Sequence, residues 1–494
     1  MRREQKTIDS FDWGDRAEPE PNHAEAPSIP STQCGEGVTY DNLIDAVVDV
    51  GNIKDALRKV VGNHGAPGVD GMTVRELVEW LSTNTEALIQ EIRDGKYIPT
   101  PVRRKEIPKP NGGVRNLGIP TVKDRLVQQM VVQVLEPIYD PTFSESSFGF
   151  RPGRNAQDAI LQAKEFYDSG LTTVVDLDLE KFFDNLNQDF LMNILRVIIK
   201  DKTLITLIKR FLRAGVTLPD GLTQATTRGS PQGGPLSPLL SNIYLDRFDR
   251  ELESRGHRFC RYADDCVIYV KTPRAGERVR ESVTRYLEKE LKLKVNREKT
   301  HVGSPADLQF LGFIITRRRN GSGISPHPSK VKAFKNRVRE ITKRNRGRKF
   351  ETILEELNSY LRGWLNYYGL LSSGTFIDRT DKWIRRRLRQ YIIKQWKRKG
   401  TIVRNLGCRC PPSFQCPDGS ASLGWMRIVW GAVKHDGWWQ RSNSPAVQQG
   451  LSNSWFREQG LYTLSENWDR VKERCFNRRV PNGMHGGVRG RMAN

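Results

Sequence analysis

Cysteine is scarce in this chain, with seven in 494 residues, an odd number without regular spacing. That excludes a disulfide scaffold and fits a reducing cytoplasm. No apolar run approaches the length of a membrane span, and the N-terminus lacks the hydrophobic core of a signal peptide, so no membrane partner is expected. Acid is also short: 57 Asp and Glu stand against 80 Lys and Arg, a formal charge of +23. The deficit points to a polyanionic partner, nucleic acid before membrane. No internal repeat is present. The hydrophobic share of 37% still provides for a sizeable core, in roughly two to four domains.

The imbalance is local. Residues 1–40 carry 4 basic and 8 acidic side chains and are rich in Pro, Glu, Ser and Asn without a period, the composition of a disordered acidic tail. Residues 41–325 hold 42 basic against 37 acidic, residues 326–400 hold 21 against 6, and residues 401–494 hold 13 against 6. A near-neutral body followed by a basic block fits a catalytic domain with a nucleic-acid grip. A solvated helical surface is the competing account of such a block.

Periodicity orders the elements into an α+β chain. A helical pattern runs from about 41 to the turn "NHGAPGVDG" at 63–71, and a second over 73–93. Residues 103–120 read as a hairpin turning at Asn111-Gly112-Gly113, followed by a helix from Lys123 to Tyr139. "TTVVDLDLEKFFDNL" at 172–186 starts as a strand, with Val175, Leu177 and Leu179 on one face and Asp176 and Asp178 on the other. It then turns helical, with Asn187 as a cap. A Gly/Pro-rich loop enters a helix over 228–252. "FCRYADDCVIYV" at 259–270 reads as two short strands with Asp264 and Asp265 at their tip. A helix over 275–291 and a last strand over 308–316 follow. Amphipathic basic helices then run to about 400, with Val331, Phe334, Val338 and Ile341 at helical spacing. The last 94 residues show no clear period.

Two adjacent carboxylates at a hairpin tip repel unless a cation lies between them, and Mg²⁺ takes carboxylate oxygens. A third ligand is expected at a neighbouring strand end. Asp178 fits, as the last acid on a strand's polar face before the chain turns into a helix. Three Asp from two strands could hold two Mg²⁺ about 3.5–4 Å apart. One ion would activate a 3′-hydroxyl and the other would stabilise a leaving pyrophosphate. A solvated turn is the simpler account of an Asp pair taken alone.

The neighbours favour the metal site. Asp264 of "YADD" lies 86 residues after Asp178 of "DLEKFF", with "SPQGGPLSPLLSNIYLD" between. With "GVDG" at 68–71, "IPKPNGGVRNLGIPTVKDRLVQQ" at 107–129, "SFGFRPGRNAQDAI" at 147–160, "LGF" at 311–313 and "LRGWLNYY" at 361–368, the chain over roughly 41–400 resembles the reverse transcriptases of bacterial group II introns. The likeness is to the compact, endonuclease-lacking, group IIC-like branch. It implies a right-hand polymerase: an N-terminal extension at 41–95, fingers and palm at 96–325, an α-helical thumb or maturase domain at 326–400, and a small DNA-binding segment at 401–494. It implies copying of an RNA template from a DNA primer with dNTPs, binding of the intron RNA and of target DNA, and assistance to splicing, in a bacterial cytoplasm.

The same resemblance assigns residues. Asp178, Asp264 and Asp265 match the catalytic metal ligands, joined by the Leu179 carbonyl. Lys109 and Arg115 match the clamp on the incoming triphosphate, Phe183 the gate against a ribose 2′-hydroxyl, and Gln232 the lining of the nucleotide site, its neighbouring glycines letting backbone approach the substrate. Asp176 falls outside the expected spacing. Arg151 and Arg154 match template-phosphate contacts, and Arg385, Arg386 and Arg387 a grip on intron RNA or template–primer duplex. The C-terminal region departs from members that end in an HNH nuclease with paired CxxC motifs. Its clustered cysteines are Cys408, Cys410 and Cys416, and its histidines are His435 and His485, a weak basis for zinc. Two other readings compete: a silent polymerase fold acting only as a splicing cofactor, against which the intact acid set argues, and a domesticated relative in DNA repair or phage defence.

Overall fold

The computed structural model describes residues 39–108, 114–218, 221–231, 233–319, 321–434 and 437–477, without the side chains of 115, 438 and 439. The expected acidic tail thus lies outside the described residues up to residue 38. Tyr40 already forms a parallel bridge with Ile199. The chain forms two compact units, one of residues 1–155 with 175–302, the other of 156–174 with 303–494. The second unit takes in residues from 303 because the last two strands pack with the helix Ala156–Asp168.

The first unit holds strands β1 (Val102–Pro108), β2 (Val114–Ile119), β3 (Thr173–Leu177), β4 (Val216–Thr217), β5 (Thr223–Gln224), β6 (Arg258–Tyr262), β7 (Asp265–Val270) and β8 (His301–Gly303). One sheet runs β2-β1-β4-β5 and the other β6-β7-β3-β8. β1 and β2 form the expected antiparallel hairpin, with Ile107 facing Arg115. Its turn at 111–113 lies outside the described residues. β3 is apolar at Val174, Val175 and Leu177, all buried, as a strand covered on both faces must be. The helices Val122–Tyr139 and Leu236–Ser254 bury residues around most of their circumference, which marks them as central rather than surface helices. Their starts differ: Thr121 caps the first by accepting from the Asp124 amide at 3.1 Å, while Pro235 opens the second. Asn187 caps the helix Gln188–Ile198 as expected, accepting from the Phe190 amide at 2.9 Å.

The second unit adds β9 (Phe313–Arg318) and β10 (Gly321–Pro326), paired antiparallel. A strand is expected over 308–316, but Leu311 and Gly312 take φ of 51° and 80°. They make "LGF" a turn, so β9 begins only at Phe313. β10 is unheralded in sequence because "GSGISP" is poor in strand formers. Three long helices follow, Pro328–Ile341, Phe350–Tyr368 and Gly374–Gln395. An aromatic cluster joins the first two to β9: Phe334 lies 4.5 Å from Trp364, Trp364 lies 4.9 Å from Tyr368, and Tyr368 lies 4.9 Å from Phe313, between ring centroids. Beyond 398 the chain is helical again, including three helices of only six residues, Trp438–Asn443, Pro445–Gly450 and Asn453–Glu458. Segments that short carry no readable period. No helix of the described residues is long and apolar enough to cross a membrane.

Candidate active site

The adjacency of β3 and β7 brings the acids together. Asp178 follows β3 by one residue. Its carbonyl accepts from the Asn296 amide at 2.9 Å, and the Glu180 amide donates to the Lys294 carbonyl at 2.8 Å. These two bonds flank Leu179, which bridges to Val295, so the Leu179 carbonyl is turned away from that ladder. The Asp178 amide donates to Thr300 Oγ1 at 3.3 Å, and its carboxylate Oδ2 lies 3.6 Å from Lys299 Nζ. Across the sheet, Tyr262 pairs with Asp265, leaving Ala263 and Asp264 as the two-residue turn. Ala263 sits at φ 58°, in the left-handed region that costs a non-glycine residue about 1–2 kcal/mol.

These acids lie in one another's field. Asp265 is pushed up to about 6, by desolvation first and then by the charges of Asp264 and Asp178, with Lys299 opposing. Asp176 is pushed up to about 7, by burial and then by Asp265 and Asp178. Spacing sets Asp176 aside, whereas the structure puts it in the same cluster. Among the described residues no three acidic, histidine or cysteine side chains converge to cage one ion as they stand. The donor set is nonetheless all oxygen, in charge excess, with one lysine nearby, which suits a hard divalent cation. Cys408, Cys410 and Cys416 are free thiols that form no such group either. His435 and His485 lie outside the described residues.

What holds the turn in place is a buried arginine. Arg261 is fully buried, and its Nε and Nη2 donate to Asp249 Oδ1 and Oδ2 at 2.7 and 2.5 Å. Its Nη1 donates to Asn242 Oδ1 and to the Ala263 carbonyl, both at 3.0 Å, and Nη2 also reaches Ser147 Oγ at 2.8 Å. One side chain thus ties the turn to the helix Leu236–Ser254 and to the segment at 147. Asn242 Nδ2 in turn donates to the Gly149 carbonyl at 2.8 Å. A Cβ on Gly149 would stand 2.3 Å from the Ala263 nitrogen, so the turn rests on bare backbone. Arg261, Asp249 and Asn242 were not legible as site residues. The available signal was an arginine inside an apolar strand, which demands a buried counter-charge.

The other sequence-predicted residues fall in varied places. Lys109, Gln232 and the Arg115 side chain lie outside the described residues. Phe183 is 8% exposed and packs edge-on to Phe182 at 5.3 Å, while its carbonyl accepts from the Ser230 amide at 2.7 Å. Around Gln232, a Cβ on Gly233 would meet the Gly118 carbonyl oxygen at 2.3 Å, and one on Gly234 would meet Gln128 Oε1 at 2.2 Å. These glycines therefore admit the chain's own backbone and Gln128, where approach of substrate is the expectation from sequence.

Arg151 is buried. Its guanidinium donates to Asp140 Oδ1 at 2.6 Å and to the carbonyls of Asp140, Ser144 and Ser147 at 2.7, 2.7 and 3.1 Å. In this conformation it is an internal staple with no surface for a template phosphate. Arg154 pairs with Glu145 and also donates to its carbonyl. In the second unit, Arg387 is likewise engaged: it donates to Thr342 Oγ1 at 3.1 Å and to the carbonyls of Arg339 and Thr342 at 3.3 Å. That closes the C-terminus of the helix Pro328–Ile341 rather than reaching outward. Arg385 and Arg386 instead line an open cleft beside the helix Gly374–Gln395.

Comparison with known proteins gives the family. The family described as reverse transcriptase (RNA-dependent DNA polymerase) matches residues 107–315, and that described as group II intron, maturase-specific domain matches residues 331–407. Protein YkfC of Escherichia coli is 36% identical over 312 residues, 55% of this chain and 82% of that protein. Group II intron-encoded protein LtrA of Lactococcus lactis is 32% identical over 383 residues, 58% of this chain and 63% of LtrA, so the chain spans under two thirds of that relative. A chain of the partial Cas6-RT-Cas1–Cas2 complex, 25% identical over 50% of this chain and 43% of its own, superposes with a TM-score of 0.33, too loosely to carry an argument. With both domains matched in order along one chain, and a relative covered over most of its length, the protein belongs to the group II intron-encoded reverse transcriptase and maturase family.

Proposed function

We propose that this protein extends a DNA primer on an RNA template with dNTPs, and that it assists splicing and mobility of a group II intron RNA. The observation that carries the chemistry is the juxtaposition of Asp176, Asp178, Asp264 and Asp265 where β3 lies beside β7 and its turn, with the raised values of Asp176 and Asp265 in keeping with it. Asp178, Asp264, Asp265 and the Leu179 carbonyl would hold two Mg²⁺ ions, which when bound supply activation of the primer 3′-hydroxyl and charge neutralisation at the departing pyrophosphate. The chain's own contribution is placement. Arg261 and Asp249 fix the turn, and Lys299 balances part of the charge on Asp178. Phe183 would serve as the gate beside the sugar. Lys109, Arg115 and Gln232 are assigned to the triphosphate and base of the incoming nucleotide.

In this reading the β1–β2 hairpin belongs to the fingers, the β6-β7-β3-β8 sheet to the palm, and the long helices after β10 to the thumb. The helical segment at 401–494 is assigned to target DNA. Arg385 and Arg386 grip RNA through its phosphates, the contacts that position without reading sequence.

Primer extension tests the chemistry. Asp264→Asn and Asp178→Asn should each reduce Mg²⁺-dependent dNTP incorporation to background while the circular dichroism spectrum stays unchanged. Near wild-type extension by either variant would sink the assignment. Phe183→Val should raise rNTP relative to dNTP incorporation, and unchanged discrimination would leave Phe183 as packing alone.

A further inference from the structure

The helix Gly374–Gln395 lines one side of an open cleft of about 690 Å³. Arg379, Lys382, Arg386 and Arg389 recur at steps of three and four and so share one helix face, with Arg385 beside them. From Arg379 to Arg389 the stripe is about 15 Å long. Among the described residues no carboxylate lines the cleft. Among the described residues Arg379, Lys382, Arg385 and Arg386 have no ion-pair partner. The cations weigh on one another: burial and then Arg385 push Arg389 down to about 10.

Charge alone would make this a phosphate track. The opposite lining argues for more. Gln448, Gln449 and Asn453 stand exposed there, with Asn443 half-buried beside them. The carboxamides of Gln449 and Asn453 make no hydrogen bond among the described residues. A carboxamide offers one acceptor and two donors in a plane, a pattern that pairs with base edges and adds little to a phosphate. Trp383 lines the same cleft, with the Arg339 guanidinium over its ring at 5.7 Å, and indoles and guanidinium planes stack unpaired bases. In a duplex the readable edges of A-form RNA are buried in a deep, narrow groove. Only unpaired bases could reach these carboxamides.

Resting on the reading of this helix as an RNA grip, we infer that the cleft between Arg379–Arg389 and Asn443–Asn453 binds a short single-stranded RNA segment and selects its bases, favouring adenine. The cations hold the backbone, and Gln449 and Asn453 read the base edge. Adenine follows from the bidentate match of Asn or Gln to its N6 and N7. RNA rather than DNA follows because the cationic wall lies within the residues matched by the intron maturase-specific domain, and the facing wall Asn443–Asn453 is in this respect set apart from the rest of the segment assigned to target DNA.

Fluorescence anisotropy with labelled single strands of roughly 12 nucleotides tests this. The probes are oligo(A), oligo(C), oligo(U) and oligo(dA), each titrated at several salt concentrations with the full-length protein. Wild type should bind oligo(A) about tenfold tighter than oligo(C) or oligo(U). The Gln449→Ala/Asn453→Ala variant should lose that preference and keep the salt slope. The Arg385→Ala/Arg386→Ala variant should weaken all RNA probes alike and flatten the slope, by up to about one unit for each phosphate no longer neutralised. Equal binding of all three RNAs by wild type, a preference that survives Gln449→Ala/Asn453→Ala, or oligo(dA) bound as tightly as oligo(A) each overturns the inference. Primer extension and intron splicing by wild type are run in parallel. If both occur without base preference, only this inference falls. If neither occurs, the functional reading beneath it falls as well.

Discussion

A guanidinium removed from water is stable only when every donor is met, and Arg261 meets its requirement through Asp249, Asn242, Ser147 and the Ala263 carbonyl. Removing it strands Asp249, which is fully buried. Arg261→Met should therefore cost about 3–5 kcal/mol, and adding Asp249→Leu should recover part of the loss. Thermal melting of the single and double variants checks the coupling. Unchanged melting of Arg261→Met would mean the network is incidental. The clustered acids carry a second prediction. Asp176 and Asp265 have folded values of about 7 and about 6, above the ordinary Asp value near 3.9. Both hold protons more tightly when folded, so their stabilising contribution is complete below that ordinary value and is lost as pH rises through about 6 to 7. In metal-free buffer the melting temperature should fall between about pH 4 and about pH 7, and Asp176→Asn should shrink the fall. A profile with the same slope in both proteins would deny the shared field. Asp178, Asp264 and Asp265 were legible in sequence because charge interrupts an apolar run. Asp249 was not, because "LDRFDRELE" offers several acids on one helix and only tertiary packing decides which one is buried.

At the scale of elements, legibility followed length and chemistry. The helix Val74–Arg93 spans twenty residues with a capping box between Thr73 and Glu76, and both its period and its start signal are in the sequence. The hairpin over 259–270 was equally plain, but its turn is Ala263–Asp264 and Asp265 already opens β7, one residue short of the expected tip at Asp264 and Asp265. The turn at Leu311–Gly312 was hidden because leucine gives no sign of a positive φ. The six-residue helices after 437 were hidden because one and a half turns cannot show a period. Arg387 illustrates the same limit. In sequence it is one of three consecutive arginines, while in the fold it closes the last turn of the helix Pro328–Ile341 through Thr342 and the Arg339 carbonyl. Hydrogen bonds from a charged group to such carbonyls are worth about 1.5–3 kcal/mol. Arg387→Ala should therefore speed amide exchange over 337–342 and lower the melting temperature, whereas Arg385→Ala should do neither. Equal effects of the two substitutions would contradict this division.

Across the whole molecule, the block at 326–400 carries 21 basic and 6 acidic residues, but the formal count overstates the grip. Glu356 alone lies within ion-pair distance of Arg337, Arg346 and Arg348. Arg339 and Arg362 lie over the rings of Trp383 and Tyr462, and Arg387 closes a helix. Among the described residues, the stripe from Arg379 to Arg389 gathers five cations without an acidic partner along one cleft. That stripe belongs to the second compact unit, while the acid cluster belongs to the first. Binding and chemistry should accordingly come apart by mutation. Asp264→Asn should abolish DNA synthesis and leave intron RNA affinity and splicing intact, since no charge in the stripe changes. Arg385→Ala/Arg386→Ala should do the reverse. Extension of a short annealed primer at low salt should persist, while intron affinity and splicing fall, the more steeply the higher the salt, because cations that neutralise phosphates draw their affinity from released counterions. Filter binding across a salt series, a splicing assay and primer extension on the same preparations decide it. If Arg385→Ala/Arg386→Ala bound intron RNA with wild-type affinity and slope, the stripe would be a solvated helix face, and the RNA grip would have to lie elsewhere in the chain.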